Sequence, residues 1–359
     1  MLRFLHCADV HLGAKMTAKL PKELASERQA ELRASFARMV DYGASLGVKA
    51  VLIAGDMFDS DRPLKNDKGY FYGVVKKYPN IDFLYLRGNH DQEQSYEESL
   101  PNLKTFSEKW QRYSYGNVDI WGAEFTQENC LSLLDSLQTD KDKKNVVLLH
   151  GQPSNGVGRY EINLKKLQGK QVDYLALGHL HSYAEGRIDE RGRYAFSGCL
   201  EGRGFDELGE KGFILLETDE TSPYGGINSR FIPHSSRIFQ EFTVDISDTA
   251  DIFSACAKVK EQVRASQRDF CRVRLTGKIK YDGETLKYDL EKYLSPSFYY
   301  LSVKNETVRS FRQGDLSGDL SLKGEFVRGV LQDGSLTERE KSQIISIGLK
   351  ALAGEKIDE

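Results

Sequence analysis

The sequence predicts a layered α/β fold in its first part, followed by a small α+β module and a helical C-terminal segment. Three observations support this prediction. Short apolar runs alternate with segments of helical periodicity through residues 1–181. Five of these runs lead directly into residue types that bind metal ions. After residue 181 the pattern becomes rich in β-strands, and from about residue 237 strands and helices alternate again.

The five apolar runs have the length of buried strands, and they span residues 3–8, 50–54, 82–87, 145–149 and 172–177. Each is followed closely by His, Asp or Asn: Asp9 and His11, Asp56, Asn89 with His90 and Asp91, His150, and His179 with His181. Five of the seven histidines lie in these motifs. Because strands of one sheet can end along one edge, we expect these side chains to converge on a single site.

Helices are predicted between the strands. Apolar residues recur at helical spacing before Gly47, namely Leu32, Phe36, Met39, Val40 and Leu46. Further short helices are predicted at 69–77, 100–110 and 128–138. After His181 the sequence predicts strands at 185–188, 194–197 and 212–217, with a hairpin turn at 189–192.

A second unit is predicted to begin near Arg237. It contains strands at 241–246, 270–279 and 297–303 and helices at 249–264 and 286–293. A polar stretch at 307–321 then leads to two helices within 322–352, the second opened by the capping-box residues Thr337 and Glu340. We therefore expect three parts: residues 1–230, residues 237–306 and residues 322–359.

Composition limits the class of protein. Hydrophobic residues make up 40% and charged residues 29%, which is typical of a globular chain. The net charge of −3 argues against bulk attraction to nucleic acid, but metal cations in a site can contact phosphate themselves. Five cysteines without a C-x-x-C pair favour reduced thiols, and no apolar run approaches the ~20 residues that span a bilayer. We expect a cytoplasmic protein that is not bound to a membrane.

The predicted site combines two Asp, one Asn and four His. Such a mixture of nitrogen and oxygen ligands suits manganese, zinc or iron. Seven ligands with one shared carboxylate are about the number needed for two ions ~3.5–4 Å apart. Two such ions stabilise an in-line displacement at phosphorus and lower the pKa of a bound water. Asp56, an isolated carboxylate after a glycine, is suited to bridging them.

The motifs D-x-H, G-D-x-x-D, G-N-H-D, H-G and G-H-x-H, in this order over roughly residues 1–220, resemble those of calcineurin-like metallophosphoesterases. The resemblance implies a β-sandwich flanked by helices. It also implies a first metal held by Asp9, His11, Asp56 and His181 and a second metal held by Asp56, Asn89, His150 and His179. His90 would face the scissile phosphate and stabilise the transition state or protonate the leaving oxygen, with Asp91 orienting it.

Other segments resemble the SbcD-like DNA repair exonucleases of bacteria: residues 54–59 with Arg62 and Pro63, residues 197–207, and residues 322–328 with 347–352. This resemblance implies a small capping domain at 237–306. It also implies that the C-terminal helical segment docks on a coiled-coil ATPase of the SbcC type. Asp59 stands where archaeal and eukaryotic relatives usually have His, which affects the subfamily and not the chemistry.

The leading hypothesis is therefore a two-metal phosphodiesterase that acts on DNA as an exonuclease or endonuclease in repair and recombination. Mn²⁺ is the metal we expect in both positions. The resemblance implies that metal-bound hydroxide attacks the phosphodiester. One alternative is a phosphoesterase for small nucleotides or phosphoproteins, although Asp91 replaces the Glu usual in protein phosphatases. Another is a non-catalytic scaffold, against which the intact His90 argues. A homodimer, the cleavage polarity and the strand preference are left open.

Several polar residues keep two interpretations. Arg62, Arg87 and Arg203 could contact a phosphodiester backbone, but ordinary salt bridges explain them equally well. Asp59 and Asp61 are better explained as loop caps or supports for the ligands than as ligands. His6 and His234 lie outside the motifs, and we expect structural roles for them.

Overall fold

The computed structural model of the chain describes residues 1–16, 22–91, 99–156, 158–218, 226–280, 283–309 and 319–352. The chain divides into two units, Met1–Ile238 and Phe239–Glu359. Each unit has its own apolar core within its described residues.

The first unit alternates strands with two long helices. Its helices are α1 (Lys22–Ser45) and α2 (Lys65–Lys77), and residues Leu164–Lys166 form a short 3₁₀ helix. Its strands are β1 (Arg3–Cys7), β2 (Ala50–Ala54), β3 (Asp82–Leu86), β4 (Leu103–Thr105), β5 (Gln111–Tyr115), β6 (Val118–Gly122), β7 (Lys144–His150), β8 (Gln152–Pro153), β9 (Glu161–Ile162), β10 (Tyr174–Gly178), β11 (Ala184–Arg187), β12 (Arg193–Phe196), β13 (Gly212–Thr218) and β14 (Ile227–Pro233).

Two six-stranded sheets form a sandwich in this unit. The first sheet has the order β14-β13-β1-β2-β3-β4 and the second has the order β11-β12-β10-β7-β6-β5. The neighbours β1, β2, β3 and β4 are parallel, as are β6, β7, β10 and β12. This architecture confirms the predicted layered α/β class with two sheets flanked by helices.

Three apolar clusters hold the layers together. Leu52 of β2 and Ala176 of β10 belong to the cluster between the two sheets. On the outer face of the first sheet, Phe36 of α1 and Phe71 of α2 pack over the strands. The outer face of the second sheet is covered by residues of turns, such as Leu133. Because the central strands are buried on both faces, they read in the sequence as continuous apolar runs.

Two predicted helices are wrong. Residues 100–110 contain the strand β4, which pairs with β3, and the side chain of Asn102 donates to the carbonyls of Val75 and Ile81. These contacts draw the segment across the end of α2 as an extended chain. Residues 128–138 form successive turns and no regular helix, although Leu133, Leu134 and Leu137 are buried. The side chain of Asn129 ties this segment to the carbonyls of Glu108 and Glu124.

The second unit contains a three-stranded parallel sheet covered by helices. Its elements are β15 (Phe239–Asp245), α3 (Ile252–Gln262), β16 (Phe270–Thr276), β17 (Lys278–Ile279), α4 (Gly283–Leu294), a 3₁₀ helix (Ser295–Ser297), β18 (Tyr300–Asn305), β19 (Val308–Arg309), α5 (Leu322–Gln332) and α6 (Glu338–Leu352). The sheet order is β15-β16-β18. Val259 of α3 and Leu290 of α4 pack on Val273 in its core.

The last two helices, α5 and α6, begin at side-chain caps. Ser321 caps α5, and Thr337 exchanges hydrogen bonds with Glu340 in the predicted capping box at the start of α6. Val327 and Ile345 of this pair are buried, whereas Leu322, Ile347 and Leu352 are exposed. Within the described residues, every helix is too short or too polar to cross a lipid bilayer.

Candidate metal centre

The site forms where five parallel strands end at the same level. In the register of the sheets, Cys7 of β1 lies beside Ile53 of β2, Ala54 lies beside Leu86 of β3, and Gly178 of β10 lies beside His150 of β7. The polar residues singled out in the sequence follow these positions, except His150, which is itself the last residue of β7. The strands that precede the predicted site residues therefore end side by side within each sheet.

Glycine permits the two sheets to approach closely at this edge. A Cβ atom on Gly55, whose φ is +95°, would lie 2.1 Å from Nδ1 of His150. A Cβ atom on Gly178 would lie 1.9 Å from the carbonyl oxygen of Ala54. Any side chain at these two positions would push β2 away from β7 or β10.

Four polar residues at the strand ends have the left-handed backbone that residues with side chains rarely adopt. Their φ angles are 50° at Asp9, 51° at His11, 51° at Asp56 and 102° at His179. Such a conformation costs of order 1–3 kcal/mol per residue and persists where the surroundings enforce it. Here the amides of Asp9 and His11 donate to the carbonyls of Gly55 and Asp56, at 3.1 and 3.0 Å. The strain is concentrated at the proposed site.

We call Asp9, His11, Asp56 and His181 the first half-site. The Nε2 atoms of His11 and His181 lie 3.2 Å apart. His181 Nε2 is 4.0 Å from Oδ1 of Asp9, and His11 Nε2 is 3.9 Å from Oδ2 of Asp56. Two nitrogen ligands of one ion lie about 3.0–3.4 Å apart when each metal–nitrogen bond is ~2.1 Å. The spacing of the two imidazoles therefore fits a shared cation.

We call Asp56, Asn89, His150 and His179 the second half-site. Oδ1 of Asn89 lies 3.0 Å from Nε2 of His150 and 3.1 Å from Nδ1 of His179. His150 Nε2 is 3.5 Å from Oδ2 of Asp56, the same oxygen that faces His11. Oδ1 of Asp56 instead accepts a hydrogen bond from the amide of His90 at 2.8 Å. One oxygen of Asp56 is thus directed toward both half-sites.

Burial sets the protonation of these groups. It lowers the pKa of His150 to about 4 and lowers the pKa of His11 as well, so both imidazoles are neutral at pH 7 and keep a lone pair. Burial, followed by the nearby Asp56, raises the pKa of Asp9 well above its usual value. Buried carboxylates crowded in this way require a compensating positive charge, which a divalent cation supplies. The donor set therefore fits metal ions.

His90 and Asp91 have different surroundings. His90 is exposed, and its Nδ1 lies 3.3 Å from the carbonyl oxygen of Asp59. The carboxylate of Asp91 is buried and accepts hydrogen bonds from the amides of Met57 and Gly88, each at 2.7 Å, and from Tyr85 Oη at 2.5 Å. Burial, with Asp56 nearby, raises the pKa of Asp91 to about 6. Asp91 therefore links the loop that follows β2 to the loop that follows β3 through hydrogen bonds.

The structure adds residues that the sequence did not identify. Glu207 lies 2.7 Å from Nδ1 of His181, and Tyr160 packs edge-on against His150 and stacks with His179. Residues 197–207 resemble a segment of SbcD-like exonucleases, but nothing in the sequence connects Glu207 with a histidine 26 positions away. Asp59 contacts His11, with 3.1 Å between Oδ1 and Nδ1, which agrees with a supporting role.

The contacts of Arg87, Arg203, His6 and His234 favour the ordinary structural roles that the sequence left open or predicted for them. Arg87 pairs with Glu124 at 2.6 Å, and Arg203 pairs with Glu207 at 2.9 Å. His6 is fully buried between Tyr174 Oη and the carbonyl of Leu177. His234 lies 3.0 Å from the carbonyl of Ser35, in contact with α1.

A cleft of about 360 Å³ opens beside the second half-site. Gly88 and Tyr160 form its inner end, next to Asn89 and His150. Its wall carries both signs of charge, from Arg87, Arg159, Glu108, Glu124 and Glu128.

A two-sheet sandwich whose strand ends gather Asp, Asn and His side chains is the arrangement of a metallophosphoesterase, and three groups of described residues could hold a metal ion. The chain belongs to the calcineurin-like phosphoesterase family, whose profile matches residues 2–183. This membership makes it a hydrolase of phosphoester bonds. The sequence-based recognition of the family is confirmed.

Three relatives illustrate the similarity. The "DNA double-strand break repair protein Mre11" of Sulfolobus acidocaldarius is 24% identical over 371 residues, which cover 96% of this chain and 94% of that protein. The "Uncharacterized metallophosphoesterase YhaO" of Bacillus subtilis is 23% identical, covering 72% of this chain and 67% of that protein. A subunit of the nuclease SbcCD from Rhodobacter capsulatus is 32% identical over 100 residues, covering 27% of this chain and 23% of that protein.

Proposed function

We propose that the chain is a two-metal phosphodiesterase that cleaves DNA as an exonuclease or endonuclease. The observation that carries the proposal is the single oxygen, Oδ2 of Asp56, that faces His11 in one half-site and His150 in the other. A shared carboxylate of this kind is what two ions ~3.5–4 Å apart require. The relatives named for DNA double-strand break repair support DNA as the substrate.

In this proposal Asp9, His11, Asp56 and His181 hold one ion, and Asp56, Asn89, His150 and His179 hold the other. Two divalent ions supply positive charge that stabilises in-line displacement at phosphorus, and they lower the pKa of a bound water. The mixture of imidazole, carboxylate and amide ligands suits manganese, zinc or iron, and of these we propose Mn²⁺. The buried, neutral imidazoles present lone pairs without needing to lose protons at pH 7.

His90 completes the proposed mechanism. Its exposed ring stands beside His11, with 4.8 Å between the ring centroids, and can reach a phosphate bound at the half-sites. We assign to it the stabilisation of the transition state or protonation of the leaving oxygen. Asp91 positions His90 indirectly, because its carboxylate accepts the amides of Met57 and Gly88 and so fixes the loop that carries Asn89 and His90.

The rest of the chain extends the proposal to partners. We assign residues 1–230 to the nuclease domain, residues 237–306 to a capping domain, and residues 322–359 to a segment that docks on an SbcC-like coiled-coil ATPase. The relative named as part of the nuclease SbcCD supports such a complex. The exposed side chains of Leu322, Ile347 and Leu352 supply apolar surface for it. A cytoplasmic location belongs to the same proposal.

The direct test is degradation of end-labelled linear DNA by the purified chain with Mn²⁺, with Mg²⁺ and with a chelator. We expect metal-dependent cleavage of DNA and of bis-p-nitrophenyl phosphate. Asp56→Asn is expected to abolish both activities and to weaken both metal sites, because the shared negative charge is lost. Asp135→Asn, an exposed carboxylate paired with Lys166, is the matched control and should behave as the wild type.

Two results would contradict the proposal. Near wild-type activity with both metals retained in Asp56→Asn would show that Asp56 does not bridge the ions. Hydrolysis of small nucleotides without any cleavage of DNA would favour the alternative of a small-molecule phosphoesterase.

A further inference from the structure

The two histidines of the first half-site are each supported from behind by a carboxylate. Nδ1 of His11 lies 3.1 Å from Oδ1 of Asp59, and Nδ1 of His181 lies 2.7 Å from Oε1 of Glu207. The contact of His181 has hydrogen-bond geometry, so its Nδ1–H can donate to Glu207 and leave the lone pair on Nε2, whereas the contact of His11 with Asp59 is a close ionic approach without a hydrogen bond. Both Nε2 atoms then point into the half-site, where they approach to 3.2 Å.

One guanidinium joins the two carboxylates. Arg203 donates from Nη1 to Oδ1 of Asp59 at 3.3 Å, and from Nε and Nη2 to Oε1 of Glu207 at 3.0 and 2.9 Å. The backbone amide of Arg203 also donates to Oε2 of Glu207 at 2.8 Å. Asp59 and Glu207 come from loops that are far apart in the chain. Arg203 thus connects the carboxylate beside His11 to the carboxylate beside His181.

The balance between Glu207 and Arg203 decides which nitrogen of His181 carries the proton. Nη2 of Arg203 also lies 2.7 Å from Nδ1 of His181. Arginine can only donate, so a bond from Arg203 to Nδ1 would leave the ring proton on Nε2 and remove the lone pair that faces the half-site. Glu207 can accept from Nδ1–H and so favours the tautomer whose lone pair is on Nε2. Loss of Glu207 should therefore do more than loosen the ring of His181.

The second half-site is supported differently. Nδ1 of His150 lies 2.9 Å from the carbonyl oxygen of Ala54, which is backbone at the end of β2. His179 is held through its amide, which donates to Asp9 at 3.0 Å, and its ring stacks with Tyr160. The contacts described for His150 and His179 thus run through the sheet and a neighbouring ring.

We infer that Arg203, Asp59 and Glu207 form an ionic clamp that sets the metal affinity of the first half-site separately from that of the second. The inference rests on the proposed two-metal function. The three residues act as positioning residues, since they reach the ion only through the imidazoles of His11 and His181. Partners of this kind typically change metal affinity about 10–100-fold.

The test is titration of the metal-stripped, full-length chain with Mn²⁺, followed by calorimetry and by electron paramagnetic resonance of free and bound Mn²⁺. The wild type is expected to bind two ions. Glu207→Gln and Arg203→Ala should each lower the affinity for one ion about 10–100-fold and leave the other within about threefold. Arg203→Lys keeps the positive charge but lacks the planar guanidinium that donates to both carboxylates. Its affinity for that ion should therefore lie between those of Arg203→Ala and the wild type.

Arg191→Lys is the matched control, because Arg191 pairs with the buried Asp173 away from the half-sites, with 2.6 Å between Nε and Oδ1. Its two affinities should equal those of the wild type. Thermal unfolding of each metal-free variant shows whether that variant is folded. If Arg203→Ala does not fold, the metal affinities of Glu207→Gln alone decide the test.

The outcomes separate the two hypotheses. Two ions bound with wild-type affinities in Glu207→Gln and Arg203→Ala would overturn the clamp while the two-metal function stands. An equal fall in the affinities for both ions in folded Glu207→Gln would contradict the inference that the clamp acts on the first half-site alone. Failure of the wild type to bind Mn²⁺ would overturn the proposed function itself, and the clamp with it.

Discussion

The residues of the centre are distinguished more by their surroundings than by their type. His6, His11, His150 and His234 all have pKa values lowered chiefly by burial. His6 and His234 nevertheless meet Tyr174 and backbone carbonyls, whereas His11 and His150 direct a nitrogen toward an oxygen of Asp56. A perturbed pKa alone does not separate the proposed ligands from core histidines, whereas their different hydrogen-bond and ionic partners do.

His90 provides the clearest separation of catalysis from metal binding at the residue scale. His90→Ala should leave two bound metal ions and DNA affinity unchanged while lowering turnover by about 10²–10⁴-fold, because a positioned proton donor is lost. Metal analysis and single-turnover cleavage of labelled DNA measure the two effects. His234→Ala is the control for loss of an imidazole elsewhere in the unit. Loss of one ion from His90→Ala would show instead that His90 is a ligand.

At the scale of elements, the strands that carry the site were predictable and several others were not. The strands β1, β2, β3, β7 and β10 are buried on both faces, so their sequences are uninterrupted apolar runs. The hairpin β5–β6 was missed because β5 alternates half-buried and exposed residues, as in Arg112 and Tyr113, and gives a weak signal.

Contacts between distant segments explain the rest. Residues 128–138 have helical spacing, but the hydrogen bonds of Asn129 to two neighbouring carbonyls replace a regular helix. The motif residues of the site could be identified because each lies at, or within a few residues of, the end of a buried strand. Glu207 could not, because a carboxylate that supports a histidine from another loop leaves no local pattern in the sequence.

The helix pair α5–α6 provides a prediction at the same scale. Ile347 is 52% exposed on α6, so Ile347→Asp should fold while abolishing co-purification with an SbcC-type ATPase. Cleavage of bis-p-nitrophenyl phosphate should be unchanged, since every half-site residue lies in the first unit. Leu131→Asp, at a site 62% exposed in that unit, is the matched control. Unimpaired capture of the ATPase by Ile347→Asp would argue against docking through this face.

For the whole molecule, the centre is assembled within Met1–Ile238 from segments that are far apart in sequence. The residues of the half-sites extend from Asp9 to His181, and the clamp adds Glu207. Contacts of such long sequence separation form late in folding, because loop-closure entropy must be overcome first. The centre therefore depends on the complete sandwich and cannot be carried by a short fragment.

The sharing of each half-site between the sheets makes a bound ion a cross-link. Asp9, His11, Asp56 and Asn89 follow strands of the first sheet, whereas His150 ends a strand of the second sheet and His179 and His181 follow another. An ion held by both groups is released when the sheets separate, so it opposes their separation. At 100 times its dissociation constant, each ion should add ~2.7 kcal/mol to the free energy of unfolding, or about 5–10 °C in Tm.

Scanning calorimetry of the metal-stripped chain, with and without Mn²⁺, measures this effect. Asp56→Asn should lose most of the increase in Tm, and Asp135→Asn should keep it. A Tm that does not change with saturating Mn²⁺ would mean that the ions do not join the sheets. If the increase is found, the proposed catalytic ions also cross-link the two sheets at this edge of the sandwich. A chelator would then lower the stability of the protein as well as its activity.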